Sequence, residues 1–364
     1  MRDFIHVTDE IYRHCPQYVP DFESDIRELF DPQKNPGLAF TTLQPFVAYR
    51  DGMPVGRVVG IINRHANERW QVRNVRFGLI EFVDDLEVSR ALLDAVADWG
   101  RSQGMNVLQG PLGITDFDKE GMLIGDFDLM GSMNTIYNPE YYPRHMEALG
   151  FEKEAEWVQI RVRVPEQVPT RYARVAAYCR QHLKLRVIKL TNREIIRGGY
   201  GRKIFEVMNA AYAHLFGFSA FTPEQADLFV DKYVSLIDKR LIPVVVNESG
   251  EVVGAAITMG SLSQAVRKAH GRLLPFGWFH LLKALRWKRE DNVEMLLIAV
   301  RPDYQGKGVN ALFFDDLIPI FNEYGFRWAE TGPQLEDNVR ELSQWKDLAP
   351  DFVKRRRCYC KQLD

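Results

Sequence analysis

Val300-Arg-Pro-Asp-Tyr-Gln305-Gly306-Lys307-Gly308-Val309-Asn310 stands between the apolar run Asn292 to Val300 (NVEMLLIAV) and the segment GVNALFFDDLIPIFNEYG, which ends at Gly325. In that segment Phe313, Leu317, Ile320 and Phe321 share one face of a helix. A strand that feeds a glycine-rich turn and then a helix aims several backbone N–H groups at one point, and the positive end of the helix dipole adds to the anion site they make. Glycine at 306 and 308 lets the main chain approach a ligand with no Cβ in the way, so a side chain placed at Gly308 is expected to project against that ligand. The amides around Gln305 to Val309 therefore read as a receptacle for pyrophosphate. The ordinary alternative is a plain strand-to-helix turn, since a short glycine pattern is weak by itself.

Working outward, the same order of elements occurs twice. In the first half, FVAYRDGMPVGRVVGII reads as a hairpin, Phe46 to Tyr49 and Pro54 to Ile62, around the turn Asp51-Gly52. An apolar strand, Phe77 to Phe82, precedes a helix over Asp84 to Gln103, where Val88, Leu92, Leu93, Val96 and Trp99 recur at helical spacing. The strand MNVLQGPL, a Gly- and Asp-rich loop, a helix near Tyr141 to Leu149 and the strand GFEKEAEWVQIRVRV follow. Past the linker PEQVP come a helix, Thr170 to His182, and the strand LRVIKL. A second hairpin (IPVVVNESGEVVGAAITMG), strand and helix then lead to the strand FRWAETGPQL, the helix NVRELSQWKDLA and a last strand, VKRRRCYCKQL. The expected fold is α/β, an α+β mixed sheet built from two copies of one plan, residues 1–165 and 166–364.

The chain has 364 residues, enough for about two domains at roughly 150 residues each, with 46% hydrophobic and 26% charged residues, the balance of a folded protein. A net charge of -2 gives no overall field for nucleic acid, so no nucleic-acid partner is expected. Of four cysteines only Cys358 and Cys360 are close, without a second ligand pair, so no metal site is expected. MRDFIHVTDEIYRHC is too charged for a signal peptide and runs such as MLLIAV are far too short to span a bilayer. The expectation is a cytoplasmic, soluble protein that can still touch a membrane surface.

The stretch LLIAVRPDYQGKGVNALFFDDL resembles the acyl-CoA signature of the GNAT superfamily of N-acyltransferases: Arg or Gln, two residues, Gly, one residue, then Gly or Ala. Gln305 fills the first place and Gly308 the fourth, while Asn310 stands where Gly or Ala is usual. The segment LEDNVRELSQWKDLAPDFVKRRRCYCK is similar to the family's closing segment, with Asn338 as its customary asparagine. YNPEYYPRHMEALGFEKE takes that place in the first half, but IEFVDDLEVSRALLDAV lacks the signature glycines, so the first copy is not expected to bind CoA in this manner.

The resemblance implies two tandem GNAT-like acyl-CoA N-acyltransferase domains, the first degenerate. It implies direct attack of a primary amine on an acyl thioester, acetyl-CoA by default or a longer acyl-CoA, with no metal and no covalent enzyme intermediate. Gln305, Gly306, Lys307, Gly308, Val309 and Asn310 would hold the CoA, and the backbone of Ile298, Ala299 and Val300 would face the pantetheine and thioester, with Val300 N–H as oxyanion donor. Glu294 would be the base, acting through water, unless it is an exposed loop carboxylate. Glu330, inside an apolar strand, is the second candidate unless it is simply paired. Trp345 occupies the place of a tyrosine that protonates the leaving thiolate, and an indole is no acid. The acceptor would be a small-molecule or lipid amine, and acyl-carrier protein could replace CoA. The competing class is a non-catalytic acyl-CoA-binding module.

Three other stretches stand out. SLSQAVRKAHGRLLPFGWFHLLKALRWKREDN interleaves Leu, Phe and Trp with Arg and Lys, including Lys288, which suits either packing on the first domain or peripheral membrane contact through 272–289 and the use of a long acyl chain. Lys354-Arg355-Arg356-Arg357 lies in a strand whose alternate residues face opposite ways, so a solvated strand face is expected. His214 with Phe216, Phe218 and Phe221 stands where such enzymes gather acceptor-binding residues, or is core. The acids Asp116, Asp118, Glu120, Asp126 and Asp128 miss calcium-loop spacing and read as a structured loop walling the site.

Overall fold

The computed structural model describes every residue except Asp116, Lys288 and Asp364, and every side chain among them except that of Ser235. In the first half α1 (Arg2–Ile11) and α2 (Glu23–Leu29) precede β1 (Thr41–Arg50), β2 (Met53–Asn63), α3 (Arg64–Trp70), β3 (Asn74–Phe82), α4 (Leu86–Ser102), β4 (Val107–Gly110), β5 (Met122–Leu123), α5 (Tyr141–Ala148) and β6 (Glu152–Arg163). The second half runs α6 (Thr170–His182), β7 (Arg186–Ile188), α7 (Asn192–Ile196), α8 (Tyr200–Tyr212), α9 (Pro223–Lys232), β8 (Val244–Val246), β9 (Val252–Gly260), α10 (Ser263–Lys268), α11 (Gly277–Arg286) and β10 (Asn292–Val300). It closes with α12 (Val309–Tyr324), β11 (Trp328–Thr331), β12 (Gln334–Leu335), α13 (Val339–Ser343) and β13 (Asp351–Gln362).

Local chemistry explains most of these boundaries. The β1–β2 turn places both Asp51 and Gly52 at positive φ, 51° and 78°, the backbone that a two-residue hairpin of right-handed twist needs. Asp85 caps α4 by accepting from Glu87 N–H, and Val88, Leu92, Leu93 and Val96 then bury the helix on the sheet. The elements absent from the reading above are mostly helices, α1 to α3 and α7 to α9 among them. Two of them carried a signal, because Thr191 with Glu194 and Thr222 with Gln225 form capping boxes, the second with proline at the first helical position.

All strands join one mixed sheet in the order β1-β2-β3-β4-β13-β6-β11-β10-β9-β8-β7, with β12 on β6 and β5 on β13. Each half supplies a hairpin, then a parallel pair, β3 with β4 and β10 with β11. The closing strands are exchanged. β13, the last strand of the second half, lies antiparallel to β4, from Tyr359 opposite Gly110 to Gln362 opposite Val107. β6, the last strand of the first half, lies against β11, with Trp328 opposite Arg163 and Glu330 opposite Arg161. The two exchanged strands pair with each other at the centre.

This arrangement corrects the expectation of a solvated face for Lys354 to Arg357. The strand has β6 on one side and β5 and β4 on the other, and its register with β6 breaks between Val353 and Arg356. Lys354 and Arg356 are buried, Arg356 to 1% exposure, and Arg355 is exposed.

Neither edge at the exchange can be completed without the other half. Residues 1–165 expressed alone are expected to be insoluble or to lack cooperative unfolding, and co-expression with 166–364 is expected to yield a stable co-purifying complex. A sharp thermal transition for 1–165 alone would contradict the exchange.

Candidate functional site

The site begins where β10 loses a neighbour. β10 and β11 pair from Asn292 opposite Trp328 to Met295 opposite Thr331, and the last bond between them is Gly332 N–H to Met295 O at 3.1 Å. Beyond it the chain turns away, and β12 joins β6 instead. On its other side β10 stays with β9 as far as Val300 opposite Gly254, with a register shift between Met295 and Leu297. Arg301 N–H donates to Val253 O at 2.8 Å. Antiparallel pairs alternate in bonding direction, so Ala299 also turns its polar groups to β9, whereas Ile298 and Val300 present theirs to the opened gap. Ala299 thus does not join the other two there, contrary to the sequence expectation. In the gap Ile298 O accepts from Tyr212 OH at 2.8 Å and Val300 O from Gln305 Nε2 at 3.1 Å. The Val300 N–H meets no acceptor among the described residues.

The glycine turn lies at one end of this gap. Gly306 and Gly308 have φ of 74° and 84°. The N–H groups of Gly306, Gly308, Val309 and Asn310 find no acceptor among the described residues, and all four residues line the same cavity. Lys307 lays its ammonium over the Tyr304 ring. The two glycines do different jobs. A Cβ on Gly308 would come 2.4 Å from Val175 Cγ1 on α6, so this glycine lets a helix pack on the turn. That corrects the expectation that its side chain would face the ligand. A Cβ on Gly306 would meet nothing within 4 Å.

Asn310 ties the start of α12 to the closing segment, donating to Gln344 Oε1 at 2.6 Å. Asn338 caps α13, accepting from Glu341 N–H at 3.3 Å. Trp345 is 1% exposed and stands edge-on to Phe314 at 5.3 Å. Four residues earlier, Glu341 lines the cavity beside Gln344, and burial pushes its carboxyl up to about 7.

Glu294 and Glu330 are direct neighbours across the β10–β11 pair, and both line the cavity. Their surroundings differ. Glu294 Oε2 accepts from Ser132 Oγ at 2.7 Å and Asn134 Nδ2 at 2.6 Å, and Oε1 accepts from Ser263 Oγ at 3.4 Å. All three donors are neutral. Glu330 accepts from Lys354 Nζ at 2.5 Å and Gln159 Nε2 at 3.2 Å, so it is the paired carboxylate that the sequence reading allowed for. Arg356 braces the same floor through Gln159 Oε1 at 3.1 Å and Thr135 Oγ1 at 2.9 Å. Nearby, Glu290 is raised above the usual carboxylate range by burial, with the Glu294 charge adding to it. Ser132, Asn134, Gln159, Lys354 and Tyr212 carry no motif, because each reaches the site from a distant part of the chain.

The cavity that unites these groups has a volume of about 1690 Å³ and is walled by both halves. Phe22, Leu112 and Met130 face it from the first half, and His214, Phe216 and Phe221 from the second. The acidic loop of the first half does wall it: Asp118 and Glu120 line it, with Asp118 accepting from Thr115 N–H at 2.8 Å, while Asp126 holds Lys354 N–H at 2.6 Å. Asp116 lies outside the described residues. No cluster of three or more metal-binding side chains occurs among the described residues.

The first half contains the same parting of strands, filled. β3 and β4 pair only from Asn74 opposite Val107 to Arg76 opposite Gln109. Farther along, Phe82 N–H donates to Tyr142 OH at 2.8 Å and Phe82 O accepts from Tyr141 OH at 2.6 Å. The first N–H groups of α4 face the Asp85 carboxylate, which accepts from Glu87 N–H at 2.9 Å. No open anion cradle remains there.

No protein-family model matches the chain. It is 25% identical over 375 residues to Protein YghO of Escherichia coli (strain K12), spanning 100% of this chain and 93% of that one. It is 24% identical over 309 residues to Bacterial ceramide synthase of Caulobacter vibrioides (strain NA1000 / CB15N), spanning 84% of this chain and 79% of that one. Among solved structures it is similar to a tandem GNAT protein from the clavulanic acid biosynthesis pathway, with a TM-score of 0.56, 13% identity, and coverage of 100% of this chain and 93% of that chain. It is also similar to the GCN5-related glucosamine N-acetyltransferase region of a fungal multi-domain beta-N-acetylglucosaminidase, with a TM-score of 0.57, 14% identity, and coverage of 99% of this chain and 37% of that chain. The chain therefore has the tandem GNAT-like fold.

Lys354→Met leaves Glu330 buried without its cation and is expected to cost about 3–5 kcal/mol in denaturant unfolding. Adding Glu330→Gln is expected to restore most of that loss. Equal destabilisation by the single and double variants would show that the pair is not coupled.

Proposed function

We propose that the protein is an N-acyltransferase that moves a long acyl chain from acyl-CoA to the primary amine of an amino-lipid. One observation carries the reading: unsatisfied amides of Gly306, Gly308, Val309 and Asn310, the free Val300 N–H and the buried Glu294 carboxylate all open into a single cavity. The first two features suit a nucleotide diphosphate and a thioester carbonyl, and the third suits a proton acceptor.

In this reading the pyrophosphate of CoA sits on the turn from Gln305 to Asn310, and the pantetheine runs along Ile298 and Val300. Val300 N–H donates to the oxyanion as the amine attacks. Glu294, held by neutral donors only, accepts the ammonium proton through water and leaves the amine free to react. Glu330 has its charge matched by Lys354 and shapes the floor. Trp345 has no acidic proton to give, so proton return to the departing thiolate is assigned to Glu341, four residues earlier and lining the same cavity. Residues 1–165 are the degenerate copy and wall the acceptor, and 166–364 carry the acyl site. An acyl-CoA donor places the reaction in the cytoplasm.

The acyl length is argued from the lining. Apolar side chains from both halves, Phe22, Leu112, Met130, Phe221, Leu281 and Leu285 among them, face the cavity and suit a long acyl chain. The similarity to a protein named Bacterial ceramide synthase points the same way.

Calorimetry is expected to give palmitoyl-CoA an affinity at least about tenfold above that of acetyl-CoA, and binding of neither would sink the proposal. Gly306→Glu is expected to lose that binding while Gly306→Ala, with the same backbone strain and no charge, keeps it. Glu294→Gln is expected to lower kcat by about 10²–10⁴ with palmitoyl-CoA affinity unchanged. Binding without any turnover over a panel of long-chain amines would favour the non-catalytic module. Glu341 donates only while protonated, so kcat is expected to fall above about pH 7, and Glu341→Gln is expected to remove that limb of the profile.

A further inference from the structure

We propose that residues 272–289 form a membrane-docking face that seats the mouth of the cavity on an anionic lipid bilayer. Between Ser261 and Arg289 the chain carries seven Lys and Arg residues and no Asp or Glu, although its net charge is -2. Lys268, Lys283, Arg286 and Arg289 are exposed, and Lys283 and Arg286 have no ion pair among the described residues. Lys288 lies outside the described residues. Among these cations the same segment exposes large apolar side chains: Leu274 to 79%, Phe276 to 75% and Trp287 to 70%, with Trp278 and Phe279 about half exposed. Aromatic rings that enter a headgroup region beside cations that meet lipid phosphate are the composition of an interfacial segment.

The placement ties this face to the cavity. α11 turns Leu281 and Leu285 into the cavity while Trp278 and Phe279 face outward. Leu273 belongs to both surfaces, and Leu236, also strongly exposed, lines the cavity as well. The apolar lining thus continues out to solvent at this point. The base of the segment is fastened to the first half: Arg272 pairs with Glu23 and Asp9, and Glu23 N–H donates to Gly271 O at 3.1 Å. Packing on the first domain and an exposed apolar tip therefore coexist. α11 has ten residues, about 15 Å, and no helix among the described residues is long and apolar enough to cross a membrane, so the contact is with one leaflet. Docking itself stands on this surface alone; delivery of a lipid amine through the mouth rests on the function proposed above.

The test is flotation of the full chain with vesicles of phosphatidylcholine containing phosphatidylglycerol and with vesicles of phosphatidylcholine alone, together with tryptophan emission. The chain is expected to float with the anionic vesicles and to show a blue shift. Leu274→Ser with Phe276→Ser is expected to weaken that binding about tenfold or more, and Lys283→Glu with Arg286→Glu to remove the preference for anionic lipid. Both double variants are expected to keep the wild-type affinity for palmitoyl-CoA in calorimetry. Wild-type chain that stays at the bottom of the gradient, variants that float like wild type, or a dimer in sedimentation that the apolar variant dissociates, each overturns the docking face. None of these outcomes touches acyl-CoA binding, and loss of acyl-CoA binding would leave the docking result standing.

Discussion

The parting of β10 from β11 after Met295 is the constraint on which the rest of the site depends. A strand with a partner on one side only leaves every second peptide group without its ladder bond, and in a buried place such groups are costly unless something else satisfies them. The second half supplies side chains to the two carbonyls, Tyr212 to Ile298 and Gln305 to Val300, and leaves the Val300 N–H open. The first half meets the same problem with Tyr141 and Tyr142 on the two polar groups of Phe82. One backbone plan thus holds an open slot in one copy and a sealed one in the other. The difference lies in whether the supporting tyrosines take both the donor and the acceptor.

The floor of the cavity separates two carboxylates that are adjacent in register. Pairing Glu330 with Lys354 removes one negative charge from the neighbourhood of Glu294. Lys354 arrives on the exchanged strand β13, while the donors to Glu294 arrive on a loop of the first half. The electrostatics of the site are therefore a property of both halves together, although the glycine turn belongs to one.

What was legible in the sequence was local. Apolar periodicity placed β10 at Asn292–Val300 and α6 at Thr170–His182 without error, and the glycine turn fell between strand and helix as read. The duplicated order of elements was legible for the same reason. The exchange of β6 and β13 was not, because a strand's own alternation says which residues are apolar and nothing about which neighbour they meet. That blind spot hid the burial of Lys354 and Arg356, whose charges read as solvent-facing. It also hid Ser132 and Asn134, two small polar residues in a loop more than 150 positions from Glu294. The direction a side chain would take at Gly308 was hidden for a related reason: the space it would fill belongs to Val175, over a hundred residues away.

The position of β13 has a consequence for synthesis on the ribosome. The free edge of β4 is covered by Tyr359 to Gln362, which follow it by about 250 positions along the chain. The nascent first half therefore waits with an uncapped β-sheet edge while the second half is made, a state open to pairing with other chains. Maturation is then gated by the arrival of β13, and a ribosome that stalls before that strand emerges releases no partly useful domain.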